Sequence, residues 1–301
     1  MNTSTAIEQQ AREILGTHQE APREKAARAV ELVSMARQAG DQAGLAAAHY
    51  ANCVLLNESS RYAECLQFAA EAIAELEAAG TLPTPELLNA MGGAYRHLNQ
   101  EAAAMECFIA AEARARATGR EDYLFSIDNN LANLFHDIGA YGLAAERYAR
   151  AASSAKESGR EAQLRAIRAN QARLLSDEGR VEEAIAALAA LVDEARGGPG
   201  ELSLAMPLAY LGHARRKAGL HEKAESDLRE SLAIFRRHGK EQHATQARVD
   251  LAETLLAMER LAAADAESRA VLAEALRSSD GELKAKAYHI RARSLEALGR
   301  W

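Results

Sequence analysis

The residues of this chain best suited to chemistry are amides and cations that return every forty positions. Asn89 is matched by Asn129, Asn130 by Asn170 and Asn133 by Arg173, and Arg96 is matched by His136. Another forty residues on, Tyr210, His213 and Arg216 follow Asn170, Arg173 and Ser176. These are groups that bind. An asparagine amide both donates and accepts, so a ladder of them can satisfy the backbone of an extended peptide, while Arg173 and Arg216 can hold a carboxylate. The competing reading is that such residues are solvated, or cap and brace neighbouring elements. Mid-helix asparagine gains little without a partner, because Asn is a poor helix former.

Signatures of catalysis are missing. The chain has no glycine-rich loop followed by Lys-Ser/Thr, no Gly-x-Ser-x-Gly, no His-Glu-x-x-His and no Cys-x-x-Cys. The run from Gly197 to Gly200 is the nearest thing to a phosphate loop, yet it follows no strand and reads as a linker. The nine His are dispersed, so neither a metal site nor a cofactor is expected, and these residues are read as non-enzymatic. Net charge is −7 with both signs scattered, which argues against nucleic acid as a partner. No stretch approaches the roughly 18 uncharged apolar residues that cross a bilayer. Three cysteines in unpatterned spacing fit reduced thiols in a cytoplasm.

What must position the polar groups is helical. The 301 residues include 69 Ala and 36 Leu against five Pro, which excludes a β-sandwich, a barrel or a parallel α/β enzyme. A turn signal recurs at Ser60, Asn99, Gly139, Gly179, Gly219, Glu259 and Gly299, spaced 39 once and then 40 throughout. Seven residues before each turn stands Cys53, Gly92, Ala132, Ala172, Gly212, Ala252 or Ala292, and five after it Cys65, Ala104, Ala144, Ala184, Ala224 or Ala264. Small residues at both places let two helices approach closely, so each unit is an antiparallel hairpin. Larger residues follow the helical period, among them Tyr95 and Phe135 before the turn and Phe108, Tyr148, Leu188 and Leu228 after it. Second breaks at Gly80, Gly119, Gly159 and Gly239 separate the hairpins, giving about fifteen helices. Cys53 and Cys65 fall on the two small-residue sites of one hairpin and read as buried apolar side chains, with a redox role left open.

The segments LLNAMGGAYRHLNQEAAAMECFIAA and NNLANLFHDIGAYGLAAERYARA resemble tetratricopeptide repeats, through Gly92, Tyr95, Ala104 and Phe108 in one and Ala132, Gly139, Tyr141 and Tyr148 in the other. Departures are Arg215 and Ser268 at sites usually apolar, and Ser60, Asn99 and Glu259 where Gly is commoner. The resemblance implies an all-α, right-handed superhelical solenoid of about seven and a half repeats: 3–39, 41–79, 84–118, 121–158, 161–196, 201–238, 241–278 and a half repeat 281–301, forming one domain over 1–301. In such a fold the first helices line a concave groove. Here that groove would carry Asn89, Arg96, Asn129, Asn130, Asn133, His136, Asn170, Arg173, Tyr210, His213 and Arg216. The partner it implies is a peptide, a protein segment or a small ligand.

The last turn is followed by Trp301, where other repeats begin a second helix. The expectation is a chain cut from a longer one, with an apolar flank at Leu295, Leu298 and Trp301 left for a following segment or for a second copy in a homodimer. The long repeats resemble the N-terminal sensor regions of bacterial diguanylate cyclases with a GGDEF domain. That resemblance implies a cytoplasmic regulatory module controlling an attached output domain. The alternatives are a stand-alone interaction scaffold or co-chaperone, and the ligand-binding region of a transcription regulator or peptide-pheromone receptor.

Overall fold

The computed structural model describes residues 3–16, 22–198, 200–278 and 281–299. They form fifteen α-helices, with no strand among the described residues. The helices gather into two compact units, the first ending at Gly159 and the second beginning at Arg160. The first holds α1 (Thr3–Gly16), α2 (Pro22–Ala39), α3 (Gln42–Glu58), α4 (Tyr62–Ala78), α5 (Pro85–His97), α6 (Glu101–Ala117), α7 (Leu124–Asp137) and α8 (Tyr141–Glu157). A single 3-10 turn, Glu121–Tyr123, precedes α7. The second unit holds α9 (Glu161–Asp177), α10 (Val181–Arg196), α11 (Leu202–Lys217), α12 (His221–Arg237), α13 (Glu241–Ala257), α14 (Leu261–Ser278) and α15 (Gly281–Ala297). Ala and Leu favour helix throughout, and caps set some of the starts. Asp41 accepts from the Gly44 N–H, and Thr84 accepts from the Leu87 N–H ahead of Pro85 at the first helical position.

Among the described residues the turns from Ser60 to Glu259 close in the same way. In α7–α8 the Gly139 N–H donates to the His136 carbonyl at 3.0 Å, and the Ala140 N–H reaches back to Phe135 at 2.8 Å. This six-to-one bond satisfies carbonyls that the end of the helix leaves open. The same bond runs from Arg61 to Leu56, Gln100 to Tyr95, Arg180 to Leu175, Leu220 to Arg215 and Arg260 to Leu255. It requires a left-handed residue, which Ser60, Asn99 and Glu259 supply at φ of 58°, 54° and 56° despite their side chains. The departures from Gly therefore change the energy of the turn and leave its geometry intact.

Just inside each turn the small residues do what their spacing implies. Cys53, Ala132, Ala172 and Ala252 are buried against their partner helices, as are Cys65, Ala104, Ala144, Ala184, Ala224 and Ala264. A Cβ added at Gly92 would stand 2.5 Å from the fully buried ring of Phe108, and one at Gly212 would stand 2.6 Å from Leu228. Ala292 is exposed, since among the described residues no helix follows α15. Arg215, out of place on an apolar face, is matched across its hairpin by Asp227 at 2.6 Å. Burial pushes the Asp227 carboxyl up, while Arg215 pulls it back toward its charged form. Ser268 is fully buried and its hydroxyl donates to the Asp265 carbonyl at 3.0 Å.

Two outcomes follow from this geometry. Gly92→Ala lowers stability by about 1–3 kcal/mol, because a rigid ring occupies the space its Cβ needs. Its neighbour Gly93, whose added Cβ would meet only Asn57 Nδ2 at 3.8 Å, tolerates Ala and gains up to about 1 kcal/mol from helix propensity. Paired urea titrations check the opposite signs. Glu259→Gly raises the thermal midpoint, relieving a left-handed strain of about 1 kcal/mol, and calorimetry beside the parent chain measures it.

Candidate functional site

In the first unit, the first helices of consecutive repeats, α3, α5 and α7, lie side by side, and their polar residues meet across the seam. Asn89, buried on α5, donates to the Tyr123 hydroxyl at 3.1 Å and the Ser126 hydroxyl at 3.3 Å. Its carbonyl accepts from Asn130 Nδ2 of α7 at 3.0 Å. Burial pushes the phenols of Tyr123 and of Tyr50 on α3 up, so both stay protonated. Asn57 of α3 donates to the Ala90 carbonyl of α5 at 2.9 Å. At the turn end of the same face Arg96 pairs with Asp137 at 2.6 Å. His136 lies 3.6 Å from Asp137, with its ring against Tyr141. Asn129 sits half-buried beside Asn130. Asn133 turns instead into its own hairpin, where its carbonyl accepts from the Tyr148 hydroxyl at 2.7 Å.

The second unit repeats the plan on α9, α11 and α13, with more charge. The Tyr210 hydroxyl donates to Asn170 at 3.1 Å, and the Arg173 guanidinium lies 5.3 Å from the centre of the Tyr210 ring, a cation–π contact. Lys217 of α11 reaches Asp177 of α9 at 2.9 Å and the Ser176 carbonyl at 2.7 Å. His213 Nδ1 lies 2.7 Å from Asp250 of α13, and Nε2 lies 3.6 Å from Asp177. Arg216 adds Asp250 at 3.3 Å and Glu253 at 3.0 Å. Three cations of α11 thus face three carboxylates of its neighbours. The carboxylates that Arg216 holds are the chain's own, where the sequence pointed to those of a ligand.

His213 is the most perturbed group on this face. Burial disfavours its charge, but the hydrogen bond to Asp250 and the Asp177 carboxylate 3.6 Å away outweigh burial and the repulsion of Arg216, raising its pKa from 6.5 to about 9. Asp250 is itself buried, which opposes its charge, and His213 and Arg216 hold it below the ordinary carboxylate value.

Several contributors escaped the sequence reading. Tyr50 and Asn57 occupy the same positions before Ser60 that Asn89 and Arg96 occupy before Asn99, so the forty-residue spacing could have found them. Tyr123 and Ser126 fall outside that spacing, and nothing in the sequence marks them. Behind α7, buried Glu112 and Asp128 share Arg147 and Arg150, with Arg147 at 2.7 Å from Asp128 and 3.1 Å from Glu112. That cluster ties α6 to the next hairpin. Of the expected C-terminal residues, Leu295 is half-buried, Leu298 is exposed and Trp301 lies outside the described residues. No group of three or more metal-ligating side chains is found among the described residues, and none of their helices is long and apolar enough to cross a membrane.

No protein-family model matches the chain, and no curated protein sequence matches it. Solved structures do. The Rap protein complexed with Competence and Sporulation Factor superposes with a TM-score of 0.69 at 14% identity, covering 99% of this chain and 86% of that one. NprR in complex with its cognate peptide NprX gives 0.61 at 15%, covering 76% and 67%. The Rap conjugation gene regulator of the plasmid pLS20, in complex with the Phr* peptide, gives 0.60 at 13%, covering 88% and 76%. At these identities the likeness is one of fold, and the fold is an all-α tetratricopeptide-type solenoid of helix hairpins.

The sign of the His213 shift sets a pH dependence. A pKa raised on folding contributes stability that is complete below about 6.5 and is lost as pH climbs through about 9. The melting temperature therefore falls across that window, and in His213→Gln the slope flattens. Parallel slopes in the two proteins, measured by circular dichroism, would contradict the assignment.

Proposed function

We propose that this chain is a non-catalytic regulatory module that binds an extended peptide along the first helices of its repeats. The observation that carries the proposal lies between α3 and α5. Asn57 donates its amide N–H to the Ala90 carbonyl, which fixes the orientation of the group, and its Oδ1 is left buried with no hydrogen-bond partner. An acceptor in that state costs about 1–3 kcal/mol, which a ligand N–H would recover. Beside it Gly93 has no side chain, so the helix surface there is open to another backbone. Asn130, oriented by Asn89, has a second N–H and its own carbonyl to offer. Two proteins of the same fold, NprR and the pLS20 regulator, are complexed with peptides, which supports this class of ligand.

The output that such a module controls follows from the repeat sequences alone. Their resemblance to bacterial cyclase sensors favours an attached diguanylate cyclase; a DNA-binding regulator or a free-standing scaffold is the alternative. Coding sequence past codon 301 separates them: a GGDEF domain, a helix-turn-helix or a stop codon. Pairing of two copies through Leu295, Leu298 and Trp301 belongs to the same proposal, and light scattering of Trp301→Glu tests it.

For the groove, a phage-displayed peptide library panned on the chain yields binders whose affinity is read by fluorescence anisotropy. Gly93→Met fills the gap without removing any hydrogen bond, and weakens binding at least tenfold at an undiminished melting temperature. Unchanged affinity in that variant, or a library that yields no binder, would sink the reading.

A further inference from the structure

Two of the three cysteines face each other where α3 and α4 come closest. Cys53 and Cys65 fill the two small-residue sites of one hairpin, and both are fully buried. How directly those sites oppose each other is plain in α11–α12, where a Cβ at Gly212 would lie 3.2 Å from the Ala224 carbonyl oxygen. In α3–α4 the Cys65 thiol donates to the Cys53 carbonyl at 3.5 Å, which sets its sulfur against the other cysteine across the hairpin. The corresponding pair in α7–α8 is Ala132 and Ala144, and in α9–α10 Ala172 and Ala184. Alanine meets the packing requirement, so packing does not call for sulfur at either place.

We propose that Cys53 and Cys65 are a dithiol that a peroxide converts into a reversible disulfide clasp between α3 and α4. The two orders of attack balance alike; in one of them Cys65 loses its proton first. Its sulfur attacks one peroxide oxygen, the O–O bond breaks, and water leaves with the Cys65 proton, giving a sulfenic acid. The Cys53 sulfur then attacks the Cys65 sulfur. The S–S bond forms, the S–O bond breaks, and the departing hydroxide takes the Cys53 proton as a second water. Two thiols are oxidised by two electrons and one peroxide is reduced. Reaction at buried sulfurs proceeds through local separation of the hairpin, and the product bonds the two helices where they cross. Because α3 carries Tyr50 and Asn57, the clasp would limit movement of a helix at the polar face. The chemistry itself does not depend on any ligand there.

Cys107 is the internal control. Its thiol is half-buried and pushed up to about 11, by burial first and then by Glu106, and it sits on α6, in another hairpin. Trypsin separates all three cysteines, since Arg37, Arg61, Arg96 and Arg114 bound peptides 38–61, 62–96 and 97–114. The folded chain is treated with hydrogen peroxide, alkylated, digested without reductant and mapped by mass spectrometry. The expected product is peptide 38–61 linked to 62–96, lighter by two hydrogens than their sum, with 97–114 unlinked and the link reversed by dithiothreitol. Cys53→Ala, which installs the residue found at 132 and 172, removes the product while retaining the fold. Recovery of both cysteines as separately alkylated peptides after peroxide, or a link running to 97–114, would overturn the proposal.

Discussion

Everything in this molecule depends on how closely two helices can approach just inside a turn. At the crossing, one helix offers Gly, Ala or Cys and the other Ala or Cys, and the larger side chains beside them close over the gap. Phe108 against Gly92 and Leu228 against Gly212 are the clearest cases, because the ring or branched chain occupies the volume of a missing Cβ. The turn itself is then held by one repeated backbone bond and one left-handed residue. With these conditions met every forty residues, each hairpin presents the same faces as the one before it. The close crossing also explains why the Cys65 thiol reaches the Cys53 carbonyl.

A regular repeat puts equivalent residues of successive first helices into register, which is why the polar groups found each other. Asn89 and Asn130 are 41 positions apart and bonded; Asn170 and Tyr210 are 40 apart and bonded; Lys217 and Asp177 are 40 apart and paired. Asparagine in the middle of a helix is poorly placed for local structure, and a partner on the adjacent helix resolves that conflict. Bracing and the proposed binding therefore draw on the same residues. A bracing bond uses part of an amide's capacity and fixes its direction, and what remains is preorganised for a ligand. In the second unit the same logic runs through charge, with His213, Arg216 and Lys217 set against Asp177, Asp250 and Glu253. A ligand there must compete with carboxylates already in place. The amide-rich face of the first unit carries the unpaired acceptor of Asn57 and is the better place to receive a backbone.

The helical hairpins, their forty-residue period and the position of nearly every turn were legible in the residues. Propensity, small-residue spacing and turn chemistry are local, and each repeat states them afresh. That same regularity marked positions that pair between neighbouring first helices within each unit, Asn89 with Asn130 in the first and Asn170 with Tyr210 in the second. Even the departures had consequences confined to their own repeats. Glu259 strains a turn that still closes, and Arg215 carries its own counterion in Asp227.

What the tertiary structure alone decided is which polar atoms are occupied. Asn133 lies on the same helix as Asn130, yet it bonds Tyr148 across its hairpin while Asn130 bonds Asn89 in the previous repeat. Arg216 could have held a ligand's carboxylate; it holds Asp250 and Glu253. Tyr123, off the repeat spacing, enters the network because a 3-10 turn begins its hairpin. Sequence by itself determined which elements form and which residues share a face, because those follow from a period set by covalent spacing along the chain. The partner of each amide and charge depends on distances of a few tenths of an ångström between separate helices, and only their packing sets those.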